Sequence, residues 1–182
     1  MLADEIKKFF RGEVLADVAA REKYSEDASI FKIQPEIVAF PKDVSDIKSL
    51  VKFVSLKKKN DKKISISARS AGTDMTGGSL TESIVLEFSK YFNHVKEVKQ
   101  EKDGGFAVTE PGVYYRDFEK ETLRLGLLYP PYPASRELCA IGGIVSNNSA
   151  GEKSLSYGEA KDFVMELKMV LSDGNEYTFK PL

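Results

Sequence analysis

The stretch that most limits how this chain can fold is a strand that empties straight into a glycine loop. Lys63–Ala68 (KISISA) alternates apolar and polar residues with the period of a half-buried strand, and Arg69–Ser79 (RSAGTDMTGGS) follows without a break. Ser83–Phe88 (SIVLEF) then reads as a second strand. From Gly72 the loop comes close to the phosphate-binding pattern G-x-x-x-x-G-K-[ST], but Gly78 fills the lysine position. That pattern needs the lysine against the phosphates and a helix opening at the loop. Here the residues after the loop turn quickly β-branched. The dinucleotide fingerprint G-x-G-x-x-G fails on spacing. Two readings remain. One is a tight strand-to-strand turn. The other is a nest, in which successive backbone N–H groups from Ser70 to Met75 turn inward around an anion. Small residues at Ser70, Ala71 and Gly72 permit close approach, and Thr73 adds a hydroxyl donor.

A second anomaly lies far downstream. From Leu128 to Gly158 the chain loses helical and strand patterning and is dense in glycine, asparagine and small polar residues. A loop of that length is uncommon unless it serves a function. Around it the elements are ordinary. Ile6, Phe9 and Phe10 mark a short amphipathic N-terminal helix that stops at Gly12. Val44, Ile47, Leu50, Val51 and Val54 mark the next helix. Val95–Gln100 and Phe106–Thr109 form a hairpin through Asp103-Gly104-Gly105. A helix from Tyr115 stops at Gly126, and a hairpin of Phe163–Leu171 with Glu176–Phe179 ends the chain. The layout is α+β, with a lobe boundary near Gly126 to Ser135.

Composition excludes some partners. The 182 residues carry 27 basic and 28 acidic side chains, a formal net charge of −1. No bulk attraction to nucleic acid or an anionic membrane follows from that balance. The basic run Lys57–Lys63 closes a predicted helix and solvates its end. No apolar stretch is long enough to cross a bilayer, and the first residues lack a signal-peptide core. Cys139 is the only cysteine, which fits a reducing compartment, and the expected location is the cytoplasm.

The motifs carry a resemblance when taken in order: RSAGTDMTGGS, IVLEFS, TEPGV, YPPYPASRE, IGGIVSNNSAG, SYG and LSDG. Together they resemble the FAD-binding domain of the FAD-linked oxidases, of the vanillyl-alcohol oxidase or p-cresol methylhydroxylase (PCMH) type. Within that superfamily the glycolate oxidase and D-lactate dehydrogenase branch is the nearest, and Tyr24–Ser29 (YSEDAS) and Gln34–Val44 (QPEIVAFPKDV) match it too. The resemblance covers the chain from about Gly12 onward. It implies an N-terminal helix over 1–11 and two α+β subdomains, 12–110 and 111–182, with FAD between them. It places Ser70, Ala71, Gly72, Thr73, Asp74, Met75 and Gly78 around the pyrophosphate. Pro133, Ala134 and Ser135 would line the flavin region, and Gly142, Gly143, Val145, Ser146 and Asn147 would continue along the cofactor. The implied activity is oxidation of a 2-hydroxy acid, such as D-lactate or glycolate, with hydride passing to FAD. A non-catalytic flavin- or nucleotide-binding protein and a flavin reductase of the same fold stay open as alternatives.

Some residues depart from the family pattern. Many relatives have serine where Asp74 stands; a carboxylate beside a diphosphate is unfavourable, so its side chain is expected to face its own backbone. Some relatives attach flavin through a histidine in the phosphate loop, but His94 is the only histidine and lies outside it, so FAD is expected to be non-covalent. Arg69 can soften the local potential or stand as a surface arginine. Cys139, Tyr129, Tyr132 and Tyr157 are expected to serve packing. No E-G-x-L-G segment and no cysteine cluster for iron–sulfur ligation occurs. The expectation is a fragment whose substrate-binding domain lies elsewhere in the same protein, silent alone, with no catalytic residue in this segment.

Overall fold

The computed structural model describes residues 1–181. At its centre is a four-stranded sheet of β1 (Glu13–Leu15), β2 (Ile37–Phe40), β3 (Ile66–Arg69) and β4 (Ile84–Glu87), in the order β1-β2-β4-β3. β2, β4 and β3 run parallel, and β1 is antiparallel on the outer side of β2. Every residue of β2 (IVAF) and β4 (IVLE) is buried. A continuous apolar run is what a strand covered on both faces requires, and it is why alternation gave no sign of β2. The strand expected from Lys63 pairs only from Ile66. Ahead of it, the Ser65 N–H is held by Ser83 Oγ at 3.0 Å.

One face of the sheet is covered by α1 (Leu2–Lys7) and α3 (Val44–Lys57), whose Ile6, Leu50 and Val54 join Ile37, Ile84 and Leu86 in the main core. Asp43 caps α3 by accepting from the Ser45 and Asp46 N–H groups. Asp46, only 1% exposed, accepts from the N–H groups of Arg11 (2.9 Å), Gly12 (3.0 Å) and Lys42 (2.8 Å). This carboxylate ties the N-terminal segment to α3. The helix α2 (Val18–Lys23) escaped the periodicity reading because it is barely two turns long; Asp17 caps it through the Ala20 N–H at 2.9 Å.

A second cluster gathers Val113, Tyr115, Phe118, Tyr132, Cys139, Ile144 and Ala160 around α4 (Tyr115–Leu123). The hairpin of β5 (Val95–Glu101) and β6 (Gly104–Thr109) packs on this cluster through Val95 and Ala107. Its turn falls one residue earlier than expected, at Lys102-Asp103, because Glu101 already pairs with Gly104. The stretch 128–158 is not structureless. It holds α5 (Ile141–Ser146) and α6 (Ser154–Tyr157). Two glycines and β-branched residues are poor helix formers, so local propensity hides α5. Tertiary contacts make it: Ile144 is buried, and the Ile141 and Gly142 N–H groups donate to the carbonyls of Val113 and Pro111.

The final hairpin is shorter than expected. Phe163 belongs to a 3₁₀ turn (Ala160–Phe163), and the strands are β7 (Leu167–Val170) and β8 (Glu176–Phe179). This hairpin leans back on α3, where Gly174 meets Lys52 and Ser55 Oγ donates to the Ser172 carbonyl. Among the described residues no helix is long and apolar enough to cross a membrane.

Candidate cofactor site

The loop after β3 leaves the carboxyl end of a parallel sheet, where open α/β sheets place ligands. Gly72 has φ +70° and Gly77 φ +80°, the left-handed region that favours glycine. Between Ala71 and Met75 the backbone N–H groups find no protein acceptor among the described residues. The Gly72 carbonyl, on the other side of the peptide, accepts from Ala28 N–H at 3.1 Å. Consecutive N–H groups without a protein acceptor in a glycine loop are what an anion-binding nest would offer.

Across from this row stands α5. Among the described residues the Gly143 N–H has no acceptor, and a Cβ built on Gly143 would meet nothing within 4 Å. Thr73, Asp74 and Met75 on one side, and Pro133, Ser135, Gly143 and Asn147 on the other, bound a cleft of about 230 Å³. The two loops are stapled behind it. Ser70 Oγ donates to the Pro111 carbonyl at 3.1 Å, and the Gly142 N–H donates to the same oxygen at 2.8 Å. A Cβ on Gly142 would come within 2.8 Å of Pro111 and 3.0 Å of Ser70 Oγ, so glycine is needed there for the loops to close.

The other named residues fall outside the lining. Ala71 and Gly72 precede the lining residue Thr73 in the loop; Ala134, Val145 and Ser146 lie between residues that line the cleft. Gly78 is committed elsewhere: its N–H donates to Asp74 Oδ2 at 2.6 Å. Thr76 Oγ1 donates to the same oxygen at 2.8 Å. Asp74 therefore faces its own loop, as expected, and the Thr76 hydroxyl and Gly78 N–H hold its carboxyl below the usual carboxylate range. Met75 stands at the rim, 79% exposed.

Sequence reasoning left out three lining residues, Cys139, Ile144 and Ser149. Ile144 and Cys139 reach the cleft as edges of the second core cluster, which only packing reveals. Burial pushes the Cys139 thiol up, which opposes thiolate chemistry. Tyr129 and Tyr132 pack around Tyr115, as expected of core aromatics. His94 is exposed, with Nδ1 3.1 Å from Glu110, and does not line the cleft. A larger hollow of about 370 Å³ lies against Tyr24, Phe40, Glu87 and Lys90. Its carboxylate is already bonded to the Ser89 and Lys90 N–H groups, and Lys90 pairs with Glu13. The cleft with unpaired donors is the better anion site.

A glycine loop with N–H groups that find no protein acceptor, beside a cleft lined by both loops, suits an anionic ligand such as the diphosphate of a dinucleotide. Residues 35–180 match the family model described as FAD binding domain. The chain is 31% identical over 159 residues to glycolate oxidase subunit GlcD of Bacillus subtilis, covering 86% of this chain and 32% of that protein. It is 30% identical over 140 residues to D-lactate dehydrogenase of Archaeoglobus fulgidus, covering 76% and 29%. It is 27% identical over 173 residues to D-2-hydroxyglutarate dehydrogenase of Pseudomonas putida, covering 95% and 17%. The chain thus spans 17% to 32% of the length of these relatives. Its fold is similar to that of solved structures of alkyldihydroxyacetonephosphate synthase (TM-score 0.77, 20% identity, 98% of this chain and 33% of that one). The same holds for 6-hydroxy-D-nicotine oxidase from Arthrobacter nicotinovorans (TM-score 0.75, 20% identity, 94% and 36%). The chain belongs to the FAD binding domain family, and its cofactor is FAD.

Proposed function

We propose that this chain is the FAD-binding module of an oxidoreductase that takes hydride from a 2-hydroxy acid such as D-lactate or glycolate. The observation that carries the binding role is the run of N–H groups from Ala71 to Met75 without a protein acceptor among the described residues, next to a cleft that Thr73, Asp74 and Met75 share with Gly143. The substrate class follows the names of the relatives. Bound FAD supplies the two-electron acceptor. The residues of this chain bind and orient it. The nest N–H groups meet the diphosphate, and the stapling of Ser70 and Gly142 to Pro111 holds the two loops at a fixed separation. Asp74 is the one carboxylate lining the cleft, and Oδ2 is engaged by Thr76 and Gly78, so no general base is assigned here. Proton transfer and substrate recognition belong to a substrate-binding domain of the same protein.

The attachment of FAD is non-covalent in this reading, since no histidine lines the cleft and the Cys139 thiol is buried with a raised pKa. The proposed division into subdomains, 12–110 and 111–182, is supported by the separation of the two larger core clusters, although the hairpin of residues 95–109 packs on the second. The cytoplasm is the proposed location, on the support of one free thiol.

The test is flavin identity and its dependence on Gly72. Titration with FAD, FMN and riboflavin is expected to rank FAD first, and acid release from the full gene product is expected to give intact FAD. That product should reduce an artificial acceptor with D-lactate or glycolate. Gly72→Val should lower FAD affinity by about a hundredfold or more, since valine does not adopt a positive φ without strain. Its side chain would also collide with the Arg69 guanidinium. Equal affinity in wild type and Gly72→Val, with both folded, would sink the nest.

A further inference from the structure

Arg69 ends β3 directly behind the nest. Its Nη2, Cζ and Nε are the atoms nearest to where a Gly72 side chain would stand. It is half-buried, and its Nη1 is buried with no hydrogen-bond partner. Asp27 and Glu87 reach it only through longer-range attraction. Each of those carboxylates is engaged with other donors. Asp27 accepts from the Ser29 N–H at 2.8 Å and Ser79 Oγ at 3.1 Å. Glu87 accepts from the Ser89 and Lys90 N–H groups. What holds Arg69 instead is the Tyr24 ring, 5.3 Å from Cζ. A stacked aromatic face orients a guanidinium without neutralising it.

Burying an arginine with no carboxylate partner is costly, so an arrangement that keeps it free asks for a reason. The segment Tyr24–Phe31 supplies several of the surrounding contacts. Tyr24 stacks on the guanidinium, Ala28 N–H holds the Gly72 carbonyl, Asp27 binds Ser79, and Phe31 lies against Gly77. We propose that Arg69 is a positioning and charge-supplying residue for the anion loop, held by stacking on Tyr24 without a direct carboxylate hydrogen bond so that its field acts on the diphosphate in the nest. This deepens the FAD-site reading and rests on it.

The test compares ADP with adenosine, which differ by the diphosphate alone. Both are titrated into the 182-residue chain and followed by NMR chemical shifts, which read affinities into the millimolar range. Arg69→Met is expected to weaken ADP about tenfold, the scale of one lost charge interaction near a surface, and to leave adenosine within about twofold. Arg69→Lys should recover part of the ADP loss. The dependence of ADP affinity on salt should be shallower in Arg69→Met than in wild type. Asp27→Asn keeps groups that can bond Ser79 and Ser29 but removes a competing negative charge, and should tighten ADP about two- to threefold. If Arg69→Met does not fold, Arg69→Lys and Asp27→Asn carry the test. Equal losses for ADP and adenosine, or ADP affinity unchanged or weaker in Asp27→Asn, would overturn this inference alone. No ADP binding by wild type would overturn both this inference and the FAD-site reading.

Discussion

Strands β4 and β8 are each four residues long, yet β4 is buried at every position and β8 is exposed at every position. Both read as strands by the same local rules, since β-branched and aromatic residues dominate IVLE and EYTF alike. The difference lies in what surrounds them. β4 has a parallel neighbour on each side and helices across one face, whereas β8 pairs only with β7 in a two-stranded sheet. Strand formation is local, but burial is a property of the layer. The two glycine-rich loops depend on this contrast. The anion loop is launched from the sheet, and α5 is anchored to the 111–113 segment by two backbone bonds and one buried isoleucine, with Ser70 of the anion loop bonded to the same Pro111 carbonyl.

The largest effect expected from this comparison is at Ile84, fully buried at the centre of the sheet. Ile84→Ala should cost about 4 kcal/mol, the lost burial plus the cavity left behind. Urea denaturation would measure it, and a loss under about 1 kcal/mol would mean the sheet relaxes as freely as a hairpin. Phe179 in β8 is 44% exposed, and Phe179→Ala should cost about 1 kcal/mol or less on the same assay. Similar losses at both positions would erase the distinction between the two regions.

The smallest effect concerns the loop itself. The Asp74 carboxyl is held below its ordinary value of 3.8 by the Thr76 hydroxyl and the Gly78 N–H. A depressed carboxyl contributes stability that is present above the unfolded pKa and lost as pH falls through the folded one. The Gly78 amide proton shift should therefore be flat near neutral pH and titrate with a midpoint below 3.8. Asp74→Asn should flatten that titration and leave global stability within about 0.5 kcal/mol. A transition centred above 4, or a large loss of stability in Asp74→Asn, would show that the Thr76 hydroxyl and Gly78 N–H do not hold the ionised carboxylate as the structure has it.

Both loops of the candidate site were legible in the residues. Gly72 and its small neighbours marked a tight glycine loop able to form a nest, and the asparagine- and glycine-rich stretch around Gly143 marked a second unusual loop, because both departures from pattern are local. The inward turn of Asp74 was legible too, since a short carboxylate in a glycine loop bonds its own backbone. What remained hidden depends on groups distant in sequence. The helix α5 has poor propensity and exists because Pro111 and Val113 accept its first N–H groups. Cys139 and Ile144 reach the cleft only because a core cluster ends there.

By itself the sequence determined the α+β class, the two loops and, through ordered motifs, the family. The tertiary structure alone decided that the loops close on one Pro111 carbonyl, that Gly78 spends its N–H on Asp74, and that Arg69 lies free behind Gly72. The physical reason is range. Turn chemistry and strand period act over a few residues, while a hydrogen bond left unmade can be recognised only when every group able to make it has been placed.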